Sequence, residues 1–348
     1  MSITTGAEPL LEVSDLSVGI PSPRGLIEAV DGVSFTVGRG EVVGIVGESG
    51  CGKSMLALSI MRLIPEPGRI AGGRIVLAGR DLIHLPEREM RRVRGNEIGM
   101  IFQDPAASLN PVMRVGRQIG ETIEAHRDMT PPLVRQGAID MLRAVRIPEP
   151  AARARDYPHQ YSGGMRQRVM IAIGMANRPA LLIADEPTTA LDVTVQAQIM
   201  DLLRQMNEET DTAIILITHN IALVSRFCSR VLVMYAGRFV EVGPTLDVFD
   251  SPKHPYTAAL LKAVPRVGAR LADGLTAIEG RPPDLARKPV GCAFHPRCAQ
   301  RRSICSVEQP PSIATGPGRD VRCWLAAEGS GVIDPDSPAH TELQEERS

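Results

Sequence analysis

The chain has 348 residues, with 39 basic and 40 acidic side chains and a formal net charge of −1. Its length predicts about two domains, and a hydrophobic content of 43 % is enough for a substantial core. Because positive charge is not in excess, the composition gives no indication of nucleic-acid binding, and we expect no nucleic-acid partner.

The start of the chain, MSITTGAEPLLEV, lacks the basic stretch and the long apolar stretch of a secretory signal. Nor does the sequence contain the roughly 18 uninterrupted apolar residues that predict a membrane span. We therefore expect an intracellular protein whose membrane role must come through a partner. In a reducing cytosol, clustered cysteines favour metal binding or catalysis over disulfides.

Apolar runs alternate with helical patterns over about 260 residues, a succession typical of an α/β fold whose mostly parallel sheet is covered by helices. Residues 8–40 are predicted to form short strands with turns, and residues 113–160 to form helices. Buried strands are predicted at 41–47, 98–104, 180–187 and 212–220, and helices at 53–64 and 194–209. After about residue 264 prolines multiply and strand patterns disappear, and the polar tail has too little apolar surface to fold.

The stretch GESGCGKS has the spacing G-x-x-x-x-G-K-[ST] of a phosphate-binding loop. Its glycines let backbone N–H groups curl around phosphates, at the N-terminus of a helix that favours negative charge. Lys53 would reach the β- and γ-phosphates, and Ser54 would ligate magnesium. The alternative is an ordinary tight turn, which does not explain the strand before it and the helix after it. The nucleotide-binding residues predicted here are Gly47, Glu48, Ser49, Gly50, Cys51, Gly52, Lys53 and Ser54.

The stretch LLIADEP is predicted to be a buried strand that ends in two acidic residues. A carboxylate at the tip of a central strand is where a magnesium ligand belongs, so we assign that role to Asp185. Glu186 would point differently and could accept a proton from, or orient, an attacking water. Alone the pattern is weak evidence, but it follows the phosphate loop by about 130 residues, as in nucleotide hydrolases.

In YSGGMRQRVMIAIGMA, residues 161–176, a serine and two glycines open an apolar helix and form a second candidate anion site. The alternative is an ordinary helix cap. This stretch resembles the signature motif in the ATP-binding subunits of ABC transporters, which contacts the γ-phosphate of ATP held by the opposite subunit. The matching residues are Ser162, Gly163, Gly164, Met165 and Gln167.

Other motifs of that family follow in order. Gln103 in IFQDP resembles the Q-loop glutamine, Asp192 in ALD resembles the D-loop aspartate, and His219 in LITHN resembles the switch histidine. The resemblance implies that the glutamine senses the γ-phosphate and links to membrane subunits, and that the histidine holds the γ-phosphate and the catalytic carboxylate. The implied catalytic residues are Glu186, His219 and Gln103, and the implied magnesium contacts are Ser54, Gln103 and Asp185.

Two positions depart from the family pattern. Ile20 stands where many members stack adenine on an aromatic residue, and Asn220 follows the switch histidine where aspartate is common. Neither change removes a catalytic group, so we expect a hydrolysis-competent half-site. Since the chain has one phosphate loop and one signature, the resemblance implies a dimer with a second ATPase subunit, each ATP lying between the two.

The stretch HPYTAALLKAVP, followed by IEGRPPDL and PVGCAFHPRC, resembles the C-terminal extension of dipeptide and oligopeptide importers. The resemblance implies ATP and Mg²⁺ as cofactors. The implied partners are two permease subunits, a second ATPase chain that is often different, and an external binding protein. The implied location is peripheral, at the cytoplasmic face of a bacterial inner membrane. It also implies an ATPase domain at 8–263, with an antiparallel β subdomain and a helical subdomain at about 104–178, followed by a Cys-rich extension at 264–328. The polar composition of residues 329–348 predicts a disordered tail.

Other functions stay open at this point. Importers of nickel or another small solute share the ATPase but often lack the cysteine extension. Soluble ABC-type ATPases of DNA repair or ribosomes tend to have coiled-coil insertions or two cassettes, and drug exporters commonly fuse the ATPase to membrane spans. The transported molecule, and whether the partner ATPase is identical or different, are not encoded in this chain.

Four of the six cysteines crowd into the C-terminal extension: Cys292, Cys298, Cys305 and Cys323. Their spacing, C-x5-C-x6-C-x17-C, differs from the paired C-x2-C of zinc ribbons. Four thiolates suit a tetrahedral zinc or an iron–sulfur cluster, and two disulfides or four free thiols are the metal-free alternatives. The family resemblance implies a 4Fe–4S cluster, with zinc as second choice. Its role would be structural or regulatory, such as recognition between the two ATPase subunits.

Overall fold

The computed structural model describes residues 8–23, 25–189, 191–263 and 278–327. The predicted disordered tail, 329–348, and part of the predicted extension lie outside these described residues. In the described ranges, no helix has both the length and the apolar character needed to cross a membrane.

Twelve strands and eleven α-helices are defined within the described residues. The strands are β1 (Leu11–Ser22), β2 (Gly25–Val37), β3 (Val42–Val46), β4 (Arg69–Leu77), β5 (Arg80–Asp81), β6 (Ile98–Ile101), β7 (Leu181–Asp185), β8 (Ala213–Thr218), β9 (Arg230–Tyr235), β10 (Arg238–Pro244), β11 (Ile313–Gly316) and β12 (Arg319–Val321). The helices are α1 (Lys53–Ile60), α2 (Glu87–Val93), α3 (Pro105–Ser108), α4 (Val115–Glu124), α5 (Pro131–Ala144), α6 (Pro150–Arg153), α7 (Gly163–Met175), α8 (Val193–Thr210), α9 (Ile221–Phe227), α10 (Thr245–Asp250) and α11 (Pro255–Lys262).

The larger sheet has the strand order β11-β12-β10-β9-β3-β8-β7-β6. Neighbours from β9 to β6 are parallel, whereas β10, β11 and β12 pair antiparallel, so the expected mostly parallel core is confirmed. The register aligns Val46 with Thr218 and Asp185 with Ile217. The carboxyl ends of β3, β8 and β7 therefore lie side by side at one edge of the sheet.

The second sheet is antiparallel, in the order β2-β1-β4-β5. The prediction of short strands in residues 8–40 is wrong in length, because β1 and β2 are 12 and 13 residues long and form one hairpin. Register shifts between Val13 and Gly19 interrupt their pairing, and such bulges break the alternating pattern that a long strand otherwise shows in a sequence.

The first helix also ends earlier than its apolar pattern indicates. The pattern runs to residue 64, whereas α1 ends at Ile60. Two residues later Arg62 adopts a positive φ of 50°, and its guanidinium donates to the carbonyls of Leu82 and Leu85 at 3.1 and 2.6 Å. These long-range bonds hold Arg62 just after the end of the helix, and no local sequence pattern predicts them.

The expectation that strands disappear after about residue 264 is wrong, because β11 and β12 extend the larger sheet through β10. Glu241 pairs with Val321 and Val242 with Asp320. These strands belong to the C-terminal segment, residues 278–327. This segment has a small apolar cluster of its own, formed by Ile304, Ile313, Val321, Cys323, Trp324 and Ala327.

A buried ion pair joins this segment to the cassette. Glu241 is 0 % exposed, and its carboxylate accepts hydrogen bonds from the N–H groups of Lys253 and His254 at 2.8 and 3.0 Å. Arg319 donates to the same carboxylate at 2.9 Å and also to the carbonyl of Ser251. Removing one member of such a pair leaves the other charge buried with too few partners.

We expect Arg319→Ala to lower the free energy of unfolding by about 3 kcal/mol, because Glu241 would keep its charge in a buried site without the guanidinium. Urea unfolding of the full chain measures this change. Arg287→Ala, at an exposed arginine of the same segment, is the matched control and should leave the midpoint unchanged. Equal midpoints for the two variants would contradict the role given to the buried pair.

Candidate nucleotide-binding site

The predicted phosphate loop connects β3 to α1, the strand–loop–helix setting that its motif requires. Gly52 caps α1 with φ of 109°, and a Cβ there would lie 2.1 Å from the carbonyl oxygen of Ala29. A Cβ on Gly47 would lie 2.2 Å from the carbonyl oxygen of Met234. Both positions therefore need glycine.

Lys53 is buried at the start of α1, and its ammonium is held by the loop itself. Nζ donates to the carbonyls of Gly47 and Glu48 at 2.8 and 3.0 Å. Neighbouring Cys51 is also buried, and burial raises the pKa of its thiol despite the nearby ammonium. A protonated thiol is a poor nucleophile, so Cys51 fills space and does not act as a reactive group.

Asp185 ends β7 beside the start of α1 and is buried. Burial is the main reason that its pKa is raised; the nearby Glu186 charge adds to this effect, whereas a hydrogen bond from Ser54 and the charge of Lys53 oppose it. Its Oδ1 atom is buried without a hydrogen-bond partner among the described residues. An unpaired carboxylate oxygen next to a serine hydroxyl fits the oxygen ligands that Mg²⁺ prefers.

Glu186 lies at the centre of a polar cluster at the carboxyl edge of the sheet. Its Oε2 accepts hydrogen bonds from Gln103 Nε2 at 3.1 Å and Thr189 Oγ1 at 2.8 Å, and its Oε1 lies 3.2 Å from His219 Nδ1. The structure thus brings together all three predicted catalytic residues. Although they lie 83 and 33 positions from Glu186 in the sequence, Gln103 and His219 follow strands of the same sheet.

The environment of Glu186 favours its ionised form. Burial alone would raise the pKa, but the hydrogen bonds from Thr189 and His219 and the nearby charges of His219 and Lys53 outweigh burial, and the pKa lies below its ordinary value. Its backbone is also fixed, with φ of 48° and an N–H that donates to the carbonyl of Ile217 at 2.8 Å. A carboxylate held in this way can orient a water or accept its proton.

The signature and D-loop residues lie at the starts of two helices. Ser162 caps α7 through a hydrogen bond from the Met165 N–H, and Asp192 caps α8 through one from the Val195 N–H. Ser162 and Gly163 are exposed and Gly164 is partly buried, whereas Gln167 is only 2 % exposed. Contact of these residues with the nucleotide of a second subunit stays a prediction. The first residue of the ALD motif, at position 190, lies outside the described residues.

Of the two departures from the family pattern, one has a structural role that the fold explains. Asn220 caps α9, because its side-chain oxygen accepts the Ala222 N–H at 3.1 Å. Ile20 lies on β1 opposite Ile27 and is partly exposed. An adenine contact at Ile20 stays a prediction.

Residues that the sequence analysis did not identify also shape the site. The hydroxyl of Tyr256 accepts the Glu48 N–H at 2.8 Å, and Arg297 pairs with the Glu48 carboxylate through two hydrogen bonds. Thr189 donates to Glu186. Both Tyr256 and Arg297 lie in stretches that resemble the C-terminal extension of peptide importers, but no local pattern indicates their contacts with Glu48, since each lies more than 200 positions from it.

The four clustered cysteines are free thiols that lie close enough to influence one another electrostatically. Burial raises the pKa of Cys292 to about 11 and that of Cys323 to about 12, and it also raises the pKa of Cys298. Among the described residues, no group of three or more His, Cys, Asp or Glu side chains is placed to hold a metal ion. The thiols therefore lie close together in the structure, but they are not arranged as the ligands of a metal ion.

Comparison with known proteins agrees with this geometry. The pattern of the family described as "ABC transporter" matches residues 30–189, and that of the "Oligopeptide/dipeptide transporter, C-terminal region" matches residues 240–305. The chain is 51 % identical over 322 residues to the oligopeptide transport ATP-binding protein OppD of Salmonella typhimurium, which covers 92 % of this chain and 95 % of that protein.

The chain is also 46 % identical over 319 residues to the dipeptide transport ATP-binding protein DppD of Bacillus subtilis, covering 91 % of this chain and 95 % of that protein. Among solved structures it is similar to the dimeric ATP-binding cassette MJ0796 in a post-hydrolysis state with ADP and Pi. That similarity has a TM-score of 0.61 at 28 % identity, over 68 % of this chain and 98 % of that chain.

A buried histidine below the phosphate loop predicts a pH dependence of stability. His254 caps α11 by accepting the Tyr256 N–H on Nδ1 at 3.0 Å, and burial lowers its pKa to about 3. The unfolded value is about 6.5, so between these values only the unfolded state binds the proton. The contribution of His254 is complete above about pH 6.5 and is lost progressively as the pH falls.

We expect wild-type protein to lose about 1.4 kcal/mol more stability than His254→Asn between about pH 7.5 and 5.5, because asparagine keeps a capping oxygen but does not titrate. Urea unfolding at the two pH values measures the difference. Parallel pH profiles for the two proteins would show that His254 is not held neutral by the fold.

Proposed function

Because this chain belongs to the ABC transporter ATP-binding proteins, in the family of oligopeptide and dipeptide transport subunits, we propose that it binds and hydrolyses ATP to energise the import of di- or oligopeptides. The observation that carries the proposal is the cluster around Glu186, where an ionised carboxylate is held by Gln103 and His219. This cluster lies at the same sheet edge as the phosphate loop.

In the proposed reaction, the N–H groups of the loop and Lys53 bind the phosphates and offset their charge. Glu186 orients the attacking water in line with the leaving oxygen and accepts its proton. Gln103 and His219 hold the carboxylate through the hydrogen bonds described above. Much of the catalysis then comes from positioning and electrostatics, as expected for phosphoryl transfer.

Magnesium would be held by Ser54, Asp185 and Gln103. The buried, unpaired Oδ1 of Asp185 supports this assignment. When bound, the ion supplies charge neutralisation at the β- and γ-phosphates.

The proposed active unit is a dimer of ATPase subunits. The signature residues at the start of α7 would contact the ATP of the partner subunit, so a single chain provides half of each site. Dimer closure on ATP binding and reopening after hydrolysis would drive the attached permeases. The proposed partners are a second ATPase chain, two permeases and an external binding protein. In this arrangement the chain is peripheral, at the cytoplasmic face of the membrane.

The peptide branch of the family is supported by the C-terminal region. Residues 240–305 match the oligopeptide/dipeptide transporter pattern, and the two relatives at 51 % and 46 % identity are named as oligopeptide and dipeptide transport proteins. We retain the division into an ATPase domain at 8–263 and an extension at 264–328 as part of this proposal. The supported substrate is therefore a peptide, ahead of nickel or another small solute.

We also propose that Cys292, Cys298, Cys305 and Cys323 hold a 4Fe–4S cluster, with zinc as the alternative. The support is their number, their shared segment and their free thiols, although the described structure does not arrange them as a metal ligand set. Thiolate ligands are those that such clusters and zinc prefer. The bound group would stabilise a segment whose apolar cluster is small.

The complex purified with its permeases should hydrolyse ATP faster when a peptide-loaded binding protein is added, because substrate delivery promotes dimer closure. Glu186→Gln should lower turnover at least about 100-fold, since the amide cannot accept the proton, while ATP binding is retained. Phosphate release in proteoliposomes measures both the stimulation and the loss of turnover.

Glu208→Gln on the exposed surface of α8 is the matched control and should leave turnover unchanged. Undiminished turnover in Glu186→Gln would remove Glu186 from its role. Stimulation by a nickel-loaded binding protein in place of a peptide-loaded one would overturn the proposed substrate class but not the proposed ATP hydrolysis.

The four cysteines should give anaerobically purified protein a brown colour, with iron and sulfide in cluster proportions. Replacing all four by serine should abolish the colour and weaken assembly with the second ATPase subunit, while the phosphate loop still binds nucleotide. Cys228→Ala, at a buried thiol outside the segment, is the control. Stoichiometric zinc without iron would favour the alternative, and assembly unaffected by the four substitutions would refute the assigned role.

A further inference from the structure

Arg297, one residue before Cys298, forms an ion pair with the phosphate loop. Its side chain is only 5 % exposed. Nη1 donates to Glu48 Oε2 at 2.6 Å and Nη2 to Glu48 Oε1 at 3.0 Å. Two parallel hydrogen bonds from one guanidinium fix both the distance and the orientation of a carboxylate. Glu48 is the residue that directly follows the first glycine of the loop.

The guanidinium is itself held in place by the C-terminal segment and the core. Its Nε donates to the carbonyl of Glu279 at 2.9 Å, and Nη1 also donates to the hydroxyl of Tyr235 at 3.3 Å. The Cζ atom of Arg297 lies 5.9 Å from the ring centroids of both Tyr235 and Phe294. Arg297 therefore acts as a fixed support and not as a mobile surface charge.

The backbone of Glu48 is fixed as well. Its N–H donates to the hydroxyl of Tyr256 at 2.8 Å, and its carbonyl accepts a hydrogen bond from Lys53 Nζ at 3.0 Å. Phe294 of the C-terminal segment packs against Tyr256 with ring centroids 5.4 Å apart. The side chain and the N–H of this one loop residue are thus both held by residues from the last third of the chain.

We propose that Arg297 is a positioning residue for nucleotide binding, which holds the phosphate loop in its phosphate-binding shape through Glu48. A loop with glycines at positions 47, 50 and 52 is intrinsically flexible, and ordering it on binding costs free energy. The pair with Arg297 supplies that order before the nucleotide arrives, which is preorganisation. The C-terminal segment is consequently part of the nucleotide site, and a change that loosens this segment weakens nucleotide binding.

A direct contact of Arg297 with phosphate is the competing explanation, and it predicts the opposite effect at Glu48. If Arg297 itself bound phosphate, removing its carboxylate partner would free the guanidinium and strengthen binding. If Arg297 acts through Glu48, removing either partner weakens binding equally. The inference rests on nucleotide binding at this loop, as proposed above, but not on which solute is transported.

The test is titration of the purified full chain with Mg²⁺ and ADP by calorimetry, with Arg297→Ala, Glu48→Ala and the double variant. We expect the dissociation constant to rise about tenfold in each single variant, as for the loss of hydrogen bonds to a charged group. The double variant should be no weaker than either single one. Arg297→Lys, which keeps the charge but not the paired geometry, should be intermediate. Arg287→Ala is the control and should bind like wild type.

ATP hydrolysis by the assembled complex gives the second readout. Arg297→Ala should raise the KM for ATP about tenfold with kcat nearly unchanged, because Arg297 does not touch the reacting atoms. If Arg297→Ala fails to fold, Glu48→Gln, which removes only the charge, should still raise the dissociation constant by about threefold.

Wild-type affinity in Arg297→Ala, multiplicative effects in the double variant, or tighter binding by Glu48→Ala would each overturn the inference. Wild-type protein that does not bind the nucleotide at all would instead overturn the proposed function, so the two failures are distinguishable.

Discussion

The in-register parallel pairing of β3, β8 and β7 is the constraint on which the candidate site depends. It places the residue after each strand at one edge of the sheet, where the phosphate loop, Asp185 with Glu186, and His219 meet. The next parallel strand, β6, brings Gln103 to the same edge. Since the strands are buried on both faces, a shift of register would expose apolar side chains as well as separate these groups.

Burial and hydrogen bonding give the two neighbouring carboxylates different environments. Asp185 is buried with an unpaired oxygen, which suits a cation ligand, whereas Glu186 is surrounded by donors that keep it ionised. The strand ends at Asp185, and the positive φ of Glu186 turns the next carboxylate toward Gln103 and His219. In the proposed mechanism, these adjacent residues would serve the metal and the water separately.

Much of the fold and the catalytic cluster could be predicted, because their signals are local. The helix predicted at 194–209 is present at Val193–Thr210, and the family resemblance implied that Gln103, Glu186 and His219 belong to one site. The C-terminal strands were missed because glycine and proline interrupt residues 313–321, and because these short strands depend on the pairing of β12 with β10 and of β11 with β12. The pair between Arg297 and Glu48 was missed because opposite charges 249 positions apart leave no local pattern.

Amide hydrogen exchange of the full chain, with and without Mg²⁺ and ATP, tests the central claim most directly. The claim is that nucleotide binds at the carboxyl edge of the parallel strands, in a loop supported by the C-terminal segment. The account predicts slower exchange in residues 47–54 on nucleotide addition, together with slower exchange in residues 294–298, since both form one packed unit. Unchanged exchange in the loop at saturating nucleotide would contradict the account.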